Sequence, residues 1–322
     1  MNVEFYNSSA FKIDNEEIKE KVYLECEKLF KMKLKRDYFP GPQPVTVEIK
    51  DIENLKNNYM VCEKTDGERA ILLLINIDNK PMCFIINRNN ELYFMDFSFR
   101  KEVFEGSIFD GEIIKTKNGI WNYLIHDCFC YNSVSFLEKS HRLRYACIID
   151  LIVKRYNPKE RDPFNIKTKI FYNYGPELNL TWQHIQDTTE NKIDGLIFTP
   201  IDNHIVFGRD YSLFKWKILH TIDLFVKREG KVVNLYNQKK SELIIYKTVS
   251  RENEKSIKEF LSRDQLKSGV IVEFKFENHQ FIPYRLRVDK KTANSEITIK
   301  NTMKNIEEAI DIDMLCNKEK SI

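Results

Sequence analysis

The amino-acid sequence predicts an α+β protein in two parts: antiparallel sheets with helices, then a small barrel and a terminal helix. Three observations predict it. Residues 59–128 fall into short apolar runs separated by the turn-forming stretches IDNK, NRNN and KTKNG. Apolar residues at helical spacing flank that region on both sides. After residue 219 five more strand-like runs recur around one charged helical segment.

The elements follow in order. Ile18, Val22, Cys26, Leu29 and Phe30 share one helical face over 16–30, and YFPGPQP then breaks the helix. From 59 to 128 the runs YMVCE, RAILLLIN, MCFIIN, LYFMDF, SIFDGEII and WNYLIHDCF read as strands of one meander-like antiparallel sheet. Residues 135–155 and 176–187 read as helices, and strands return at DGLIFTP and YSLFKWKI. TIDLFVKR, KVVNLYN, ELIIYKTV, GVIVEFKFE and QFIPYRLRV, with a helix near 252–266, suit a small barrel of the OB type. Ile299, Met303, Ile306 and Ile310 repeat at helical spacing, which predicts a final helix docked on the first domain. The expected domains are therefore 1–218, 219–294 and 295–322.

Composition limits the function classes. A chain of 322 residues, 42% of them apolar, can bury a core and divide into two domains. No run of about eighteen apolar residues occurs, and MNVEFYNSSAFKIDNEE lacks the basic-then-apolar order of a secretory signal. A soluble, intracellular protein with no membrane partner is expected. The seven cysteines are scattered, and the spacing of Cys128 and Cys130 suits neither a zinc knuckle nor a redox pair, so reduced and mostly buried thiols are expected. The formal charge is +3, with basic residues dense at 227–240 and 285–291, which permits a polyanionic partner.

The chemistry-bearing segments begin with VCEKTDGERA, which sets Lys64 two residues before an Asp-Gly pair at the end of an apolar run, with Arg69 close behind. A lysine is almost wholly protonated at neutral pH and becomes a nucleophile only where burial or neighbouring cations disfavour its charge. LFKWK offers such cations: in a strand Lys215 and Lys217 point to one face, Phe214 and Trp216 to the other. Asp110, Glu112 and Asp194 stand beside glycine in FDGEII and KIDGLIFTP. Carboxylates at strand ends can hold Mg²⁺ through a few oxygens while water and phosphates supply the rest. YRLRVDK places Arg285, Arg287 and Asp289 on one strand face with Lys290 following, and guanidinium forks suit phosphate oxygens. Taken singly, each segment has a plainer alternative: a solvated hairpin turn for KTDG, an ordinary surface strand for LFKWK, turn-forming Asp-Gly pairs, and a solvated edge for YRLRVDK.

The order of the segments carries more than any one of them. EKTDGER, FDGEII, YLIHDCF, DGLIFTP, LFKWK and YRLRVDKKTAN together resemble the covalent nucleotidyltransferase superfamily of mRNA capping guanylyltransferases and ATP-dependent polynucleotide ligases, over residues 59–294. VEFKF followed by PYRLRVDKKTAN looks like the last motif of the capping enzymes, which makes guanylyltransferase the nearer likeness and ligase the alternative. A non-catalytic RNA-binding module is a third reading, against which the intact set of Lys64, Glu112, Lys215, Lys217, Arg287 and Lys290 stands.

The resemblance implies a nucleotidyltransferase domain followed by an OB-fold domain. It also implies a ping-pong reaction in which Lys64 attacks the α-phosphorus of GTP, expels pyrophosphate, and passes GMP from a lysyl-GMP intermediate to the 5′-diphosphate end of RNA. By the same likeness Arg69 and Arg88 contact the ribose and a neighbouring phosphate. Glu112 and Asp194 position metal or nucleotide, and Lys215 and Lys217 hold the α-phosphate and favour the neutral form of Lys64. Arg287 and Lys290 engage the β- and γ-phosphates when the barrel closes, Asp289 helps to order the leaving pyrophosphate, and residues near 219 form the hinge. His126 takes the place of an aromatic that stacks on the base, and either stacks in its stead or leaves that role to a residue elsewhere; Asp194 takes the place of a glutamate common among relatives.

The implied cofactor is Mg²⁺ or Mn²⁺. The implied partners are GTP, 5′-diphosphate RNA, and RNA triphosphatase and cap methyltransferase proteins or domains, since the sequence offers no constellation of its own for those steps. The Lys-, Asn- and Ile-rich composition suits an AT-rich genome such as that of a large cytoplasmic DNA virus, hence a cytoplasmic location; for a cellular enzyme the nucleus is the alternative.

Overall fold

The computed structural model describes residues 10–36, 38–55, 58–160, 162–288 and 290–316. These form two compact units, one running to Trp216 and resumed at Ile312, the other from Lys217 to Asp311.

The first unit holds two sheets. The larger has the order Phe11–Lys12, Leu92–Met95, Lys80–Asn87, Glu68–Ile77, Ser107–Lys115, Trp121–Tyr131 and Asn165–Thr168, with Val134–Ser135 also paired to Trp121–Tyr131. Asn165–Thr168 runs parallel to Trp121–Tyr131, and the other pairings are antiparallel. The apolar run RAILLLIN is continuous because its strand is covered on both faces. Leu72 and Leu74 enter a cluster with Ile85, Phe109 and Ile148, the last from helix His141–Asp150. Ile71, Leu73 and Ile75 enter another with Val22, Cys26, Leu29 and Phe30 of helix Glu16–Phe30. That helix starts where the Asn15 side chain accepts from the amide of Ile18 and stops at Lys31, whose φ of 55° is left-handed.

The second sheet takes Tyr172–Asn173, Tyr59–Thr65, Ile193–Pro200, Gly208–Lys217 and Pro42–Thr46 in that order. Helix Leu178–Thr188 covers it, with the Trp182 ring meeting Trp216 edge-on at 5.5 Å. This corrects the expectation of a single meander over 59–128: Tyr59–Thr65 does not pair with Glu68–Ile77 but belongs to the other sheet. The chain crosses between sheets at Asp66 and Gly67. A Cβ on Gly67 would stand 2.5 Å from the carbonyl oxygen of Ile113 and from Cγ2 of Ile114, so only glycine passes so close. Forcing an extra methyl into packed surroundings costs about 1–3 kcal/mol. Gly67→Ala is accordingly expected to lower the urea midpoint by that amount of stability at unchanged slope; an unaltered midpoint would show that the crossing has room.

One helical expectation narrows in extent. Within 135–155 only His141–Asp150 is α-helical, continued by one π turn at Leu151–Arg155, while Ser135 ends a short strand on Cys130 and Tyr131. All seven cysteines are buried and unbridged, as expected. No helix among the described residues is long and apolar enough to cross a membrane.

The second unit is a curled five-stranded antiparallel sheet, ordered Glu242–Thr248, Val232–Lys239, Thr221–Glu229, Val270–Glu277 and Gln280–Leu286. Its outer strands approach each other through side chains, the Tyr246 and Phe281 rings lying 5.9 Å apart. The helices Arg251–Phe260 and Arg263–Ser268 follow the third strand in chain order, and Ile257, Leu261 and Leu266 plug the core made by Leu224, Leu235, Val272 and Phe274.

The terminal helix docks otherwise than expected. Glu296–Glu308 buries Ile299, with Met303 and Ile306 beside it, in the barrel's own core. It ends at Ala309, left-handed at φ 45°, so Ile310 falls outside the helix. The chain then rejoins the first unit through Ile312–Leu315, where Leu315 is buried and its carbonyl accepts from Tyr174 Oη at 2.6 Å. The change of unit falls between Trp216 and Lys217, two residues before the boundary expected at 218.

Candidate active site

In the first unit the segment from Glu63 to Arg69 joins the two sheets, and its donors meet acids from two other strands, Ser107–Lys115 and Ile193–Pro200. Lys64 Nζ donates to Asp194 Oδ1 at 2.6 Å. Asp194 is the extra residue of a bulge: Ile193 lies opposite Thr65 and Gly195 opposite Lys64, which turns the carboxylate between them onto the lysine. Thr65 Oγ1 donates to Glu112 Oε2, and the amide of Gly67 donates to Glu112 Oε1 at 3.1 Å. Lys169 Nζ closes this group, 2.9 Å from Glu112 Oε2, 2.8 Å from Thr65 Oγ1 and 3.3 Å from the carbonyl of Glu63. Burial opposes charge on both Glu112 and Lys169, yet their mutual attraction wins: the carboxyl lies below its ordinary value and the ammonium above.

Arg69 faces Asp110 as a fork, Nε to Oδ1 at 2.9 Å and Nη2 to Oδ2, while Nη1 donates to the carbonyl of Pro42. Asp110 is fully buried, and His126 Nε2 stands 3.4 Å from its Oδ2. His126 is again the extra residue of a bulge, since Asp110 pairs with Asp127 and Gly111 with Ile125. The edge of the imidazole is thus directed at Asp110, a placement the reading of His126 as a stacking ring did not anticipate. Arg88 follows Asn87, the cross-strand partner of Ala70, so it sits at the same end of the sheet as Arg69, but its side chain is exposed in the turn.

Lys215 shares a sheet face with Lys64. Tyr59 and Lys64 lie on opposite faces of one strand, Phe214 and Lys215 on opposite faces of another, and the Tyr59 and Phe214 rings meet at 6.1 Å. One strand, Ile193–Pro200, separates them. Phe214 and Trp216 are buried while Lys215 and Lys217 are partly exposed, the alternation LFKWK predicts.

The second unit gathers its own charges. Asp223 and Glu273 oppose each other across neighbouring strands, and Glu273 opposes Arg285. Arg287 Nη1 donates to Asp223 Oδ1 at 3.0 Å and approaches Glu273 Oε2 at 3.4 Å; Lys290 Nζ donates to Asp223 Oδ2. Arg285 Nε donates to Glu273 Oε2 at 2.8 Å. Asp289, expected beside them, lies outside the described residues.

Several of these residues escape a sequence reading. Asp110 is visible as an acid beside glycine, but nothing local marks Arg69 as its partner. Lys167 and Lys169 alternate in NIKTK like a solvated strand, and Lys169 is 4% exposed only because Asn165–Thr168 pairs with a distant strand. Asp223 shows a signal in retrospect, an acid between Ile222 and Leu224 in an otherwise apolar strand. Among the described residues no three His, Cys, Asp or Glu side chains converge as a ready metal cage. The oxygens of Glu112 accept from Thr65, Gly67 and Lys169, whereas the Asp194 side chain is 35% exposed. The donors fit a Mg²⁺ held by one carboxylate, with phosphate and water oxygens supplying the rest.

A family model described as the mRNA capping enzyme catalytic domain matches residues 10–219, and one described as the mRNA capping enzyme C-terminal domain matches 190–316. The chain is 31% identical over 236 residues to the mRNA-capping enzyme subunit alpha of Kluyveromyces lactis, covering 63% of this chain and 50% of that protein. It is 27% identical over 307 residues to the mRNA-capping enzyme of Mus musculus, covering 86% and 49%. The chain therefore spans about half the length of these curated relatives. Against the subunit alpha of Yarrowia lipolytica, 28% identical over 317 residues, the shares are 84% and 80%. A solved mycobacterial DNA ligase D complexed with ATP and MES aligns with a TM-score of 0.46 at 14% identity, over 80% of this chain and 97% of that one. With the catalytic-domain match extending over well more than half of its residues, the chain belongs to the mRNA capping enzyme family.

Proposed function

We propose that the chain is an mRNA guanylyltransferase that carries GMP on Lys64. The observation that carries this reading is the anchoring of the segment around that lysine: Thr65, Gly67 and Arg69 are tied to Glu112 and Asp110, which holds Lys64 at a fixed point while 20% of its side chain stays accessible. A nucleophile held in place needs less ordering to reach its target.

In the first step Lys64 Nζ forms a bond to the α-phosphorus of GTP, and the bond from that phosphorus to the bridging oxygen breaks, releasing pyrophosphate with the electron pair. The proton Lys64 must lose already has an acceptor, Asp194. Lys215, on the Lys64 face of the sheet, and Lys217 beyond it on the same strand would neutralise charge on the α-phosphate. Arg287 and Lys290 would meet the β- and γ-phosphates. In the second step a terminal phosphate oxygen of 5′-diphosphate RNA attacks the same phosphorus, and Lys64 recovers its electron pair and a proton. Mg²⁺ or Mn²⁺, when bound, would neutralise phosphate charge, with Asp194 the protein carboxylate best disposed to hold it.

The RNA end consumed here is what a triphosphatase leaves, and the guanylate cap is what a methyltransferase takes, so both activities belong to partner proteins or domains. The location that follows is the nucleus for a cellular enzyme and the cytoplasmic replication site for a viral one.

The test is the overall reaction. Incubation with GTP and 5′-diphosphate RNA is expected to yield RNA with a nuclease-resistant guanylate cap, and a nicked duplex with ATP is expected to stay unsealed. Sealing without capping would replace this reading with that of a ligase.

A further inference from the structure

Three residues of the stretch RLRVDKKTAN converge on Asp223, which no motif reading singles out. Arg287 and Lys290 donate to its carboxylate. Asn294 fixes its backbone from both sides: the amide of Asp223 donates to Asn294 Oδ1 at 2.8 Å, and the amide of Asn294 donates to the Asp223 carbonyl at 2.7 Å. Asp223 as a residue is 6% exposed and Glu273, directly across from it, 7%. Two like charges facing each other across a sheet repel, and buried ones require compensation, so this pair of acids holds its cations firmly.

We propose that Asp223 is a positioning residue for the nucleotide's phosphates, acting through Arg287 and Lys290. The inference rests on the reading of those two side chains as triphosphate contacts. A buried carboxylate cannot surrender both cations to a phosphate without being left uncompensated, which costs more than the new contacts return. Asp223 therefore keeps its hold while the cations reach outward. A guanidinium carries five donors and an ammonium three, enough to serve a carboxylate on one side and phosphate oxygens on the other. In this arrangement Asp223 sets where the phosphate contacts stand, and it has no part in the transfer of GMP once pyrophosphate has left.

The experiment compares the full chain with Asp223→Asn, which keeps shape and removes charge, in three assays: lysyl-GMP formation against GTP concentration, its reversal against pyrophosphate concentration, and GMP transfer to RNA from isolated lysyl-GMP protein. The half-saturating concentrations of GTP and pyrophosphate are expected to rise about tenfold, and transfer to change less than about twofold. Unchanged or lowered half-saturation in a variant with an intact melting transition overturns the inference. Arg287→Ala and Lys290→Ala run alongside. If they raise the GTP requirement and Asp223→Asn does not, the positioning role alone fails; if they leave it unchanged, the phosphate-contact reading fails and takes the inference with it. Should Asp223→Asn not fold, Asn294→Ala removes the side-chain acceptor that fixes the Asp223 backbone and is expected to raise both half-saturating concentrations in the same direction, and the absence of any rise would overturn the proposal.

Discussion

Lys64→Met is expected to end all formation of lysyl-GMP while leaving the protein folded. Methionine matches the lysine stem in length but carries no amine, so no nitrogen is left to take the α-phosphorus. The structural cost is small because the Lys64–Asp194 pair is partly exposed, at 20% and 35% of the two side chains, and such pairs contribute no more than about 1 kcal/mol. Label on the protein should therefore vanish while the melting temperature moves by only a few degrees, about 2–4 °C for a protein of this size. Asp194→Asn leaves Lys64 in place while neutralising the carboxylate proposed both to accept its proton and to hold the metal, and lysyl-GMP formation is expected to slow by a factor of about 10²–10⁴. Label retained by Lys64→Met would move the nucleophile elsewhere.

Asp110→Ala is expected to be the most destabilising single change in the first unit. It removes a fully buried carboxylate and leaves the guanidinium of Arg69 facing its empty place, and breaking a buried pair from one side costs about 3–5 kcal/mol. The pair also leaves a mark on acid stability. Burial alone would raise the Asp110 carboxyl, but the charge of Arg69, then that of His126, with hydrogen bonds from both, hold it well below its ordinary value of 3.8. A carboxyl depressed by folding stabilises the native state above its unfolded pKa, and that stabilisation is lost as pH falls from there through the folded value. The pair's contribution is thus complete above about pH 4 and declines only in stronger acid. Asp110→Asn should be less stable than the native chain at neutral pH, with a gap that narrows below pH 4, as urea titrations at a series of pH values would show. A gap independent of pH would mean that the Asp110 charge contributes little.

Where local pattern decides structure, the sequence is a sufficient guide. The apolar stripe at 18, 22, 26, 29 and 30 determines both the N-terminal helix and the face it buries, and the alternation in LFKWK determines which side chains of that strand meet the core. Where partners are distant, the sequence is silent. Tyr59–Thr65 reads like the first arm of a hairpin, and only its pairing with Ile193–Pro200, far along the chain, moves it to another sheet. The terminal helix misleads for a related reason: an apolar stripe says that a helix must dock, but not on what, and Ile299 finds the barrel core first.

The site divides in the same way. Lys64 and Arg69 stand close in one segment, and Glu112 and Asp194 are each marked by a neighbouring glycine, so these members are legible one by one. Lys169 and Asp223 are not, because each owes its place to one long-range pairing that buries a charge beside an opposite one. The two bulges that aim Asp194 and His126 are equally invisible in the sequence, where both residues look like ordinary members of alternating strands.

The central claim, a covalent guanylate on Lys64, is tested most directly by incubating the purified chain with α-labelled GTP or ATP and Mg²⁺ and separating the products by denaturing electrophoresis. The expected result is label on the protein from GTP and not from ATP, removable by pyrophosphate and absent in Lys64→Met. Label from ATP alone, or no label from either nucleotide on folded protein, would contradict it.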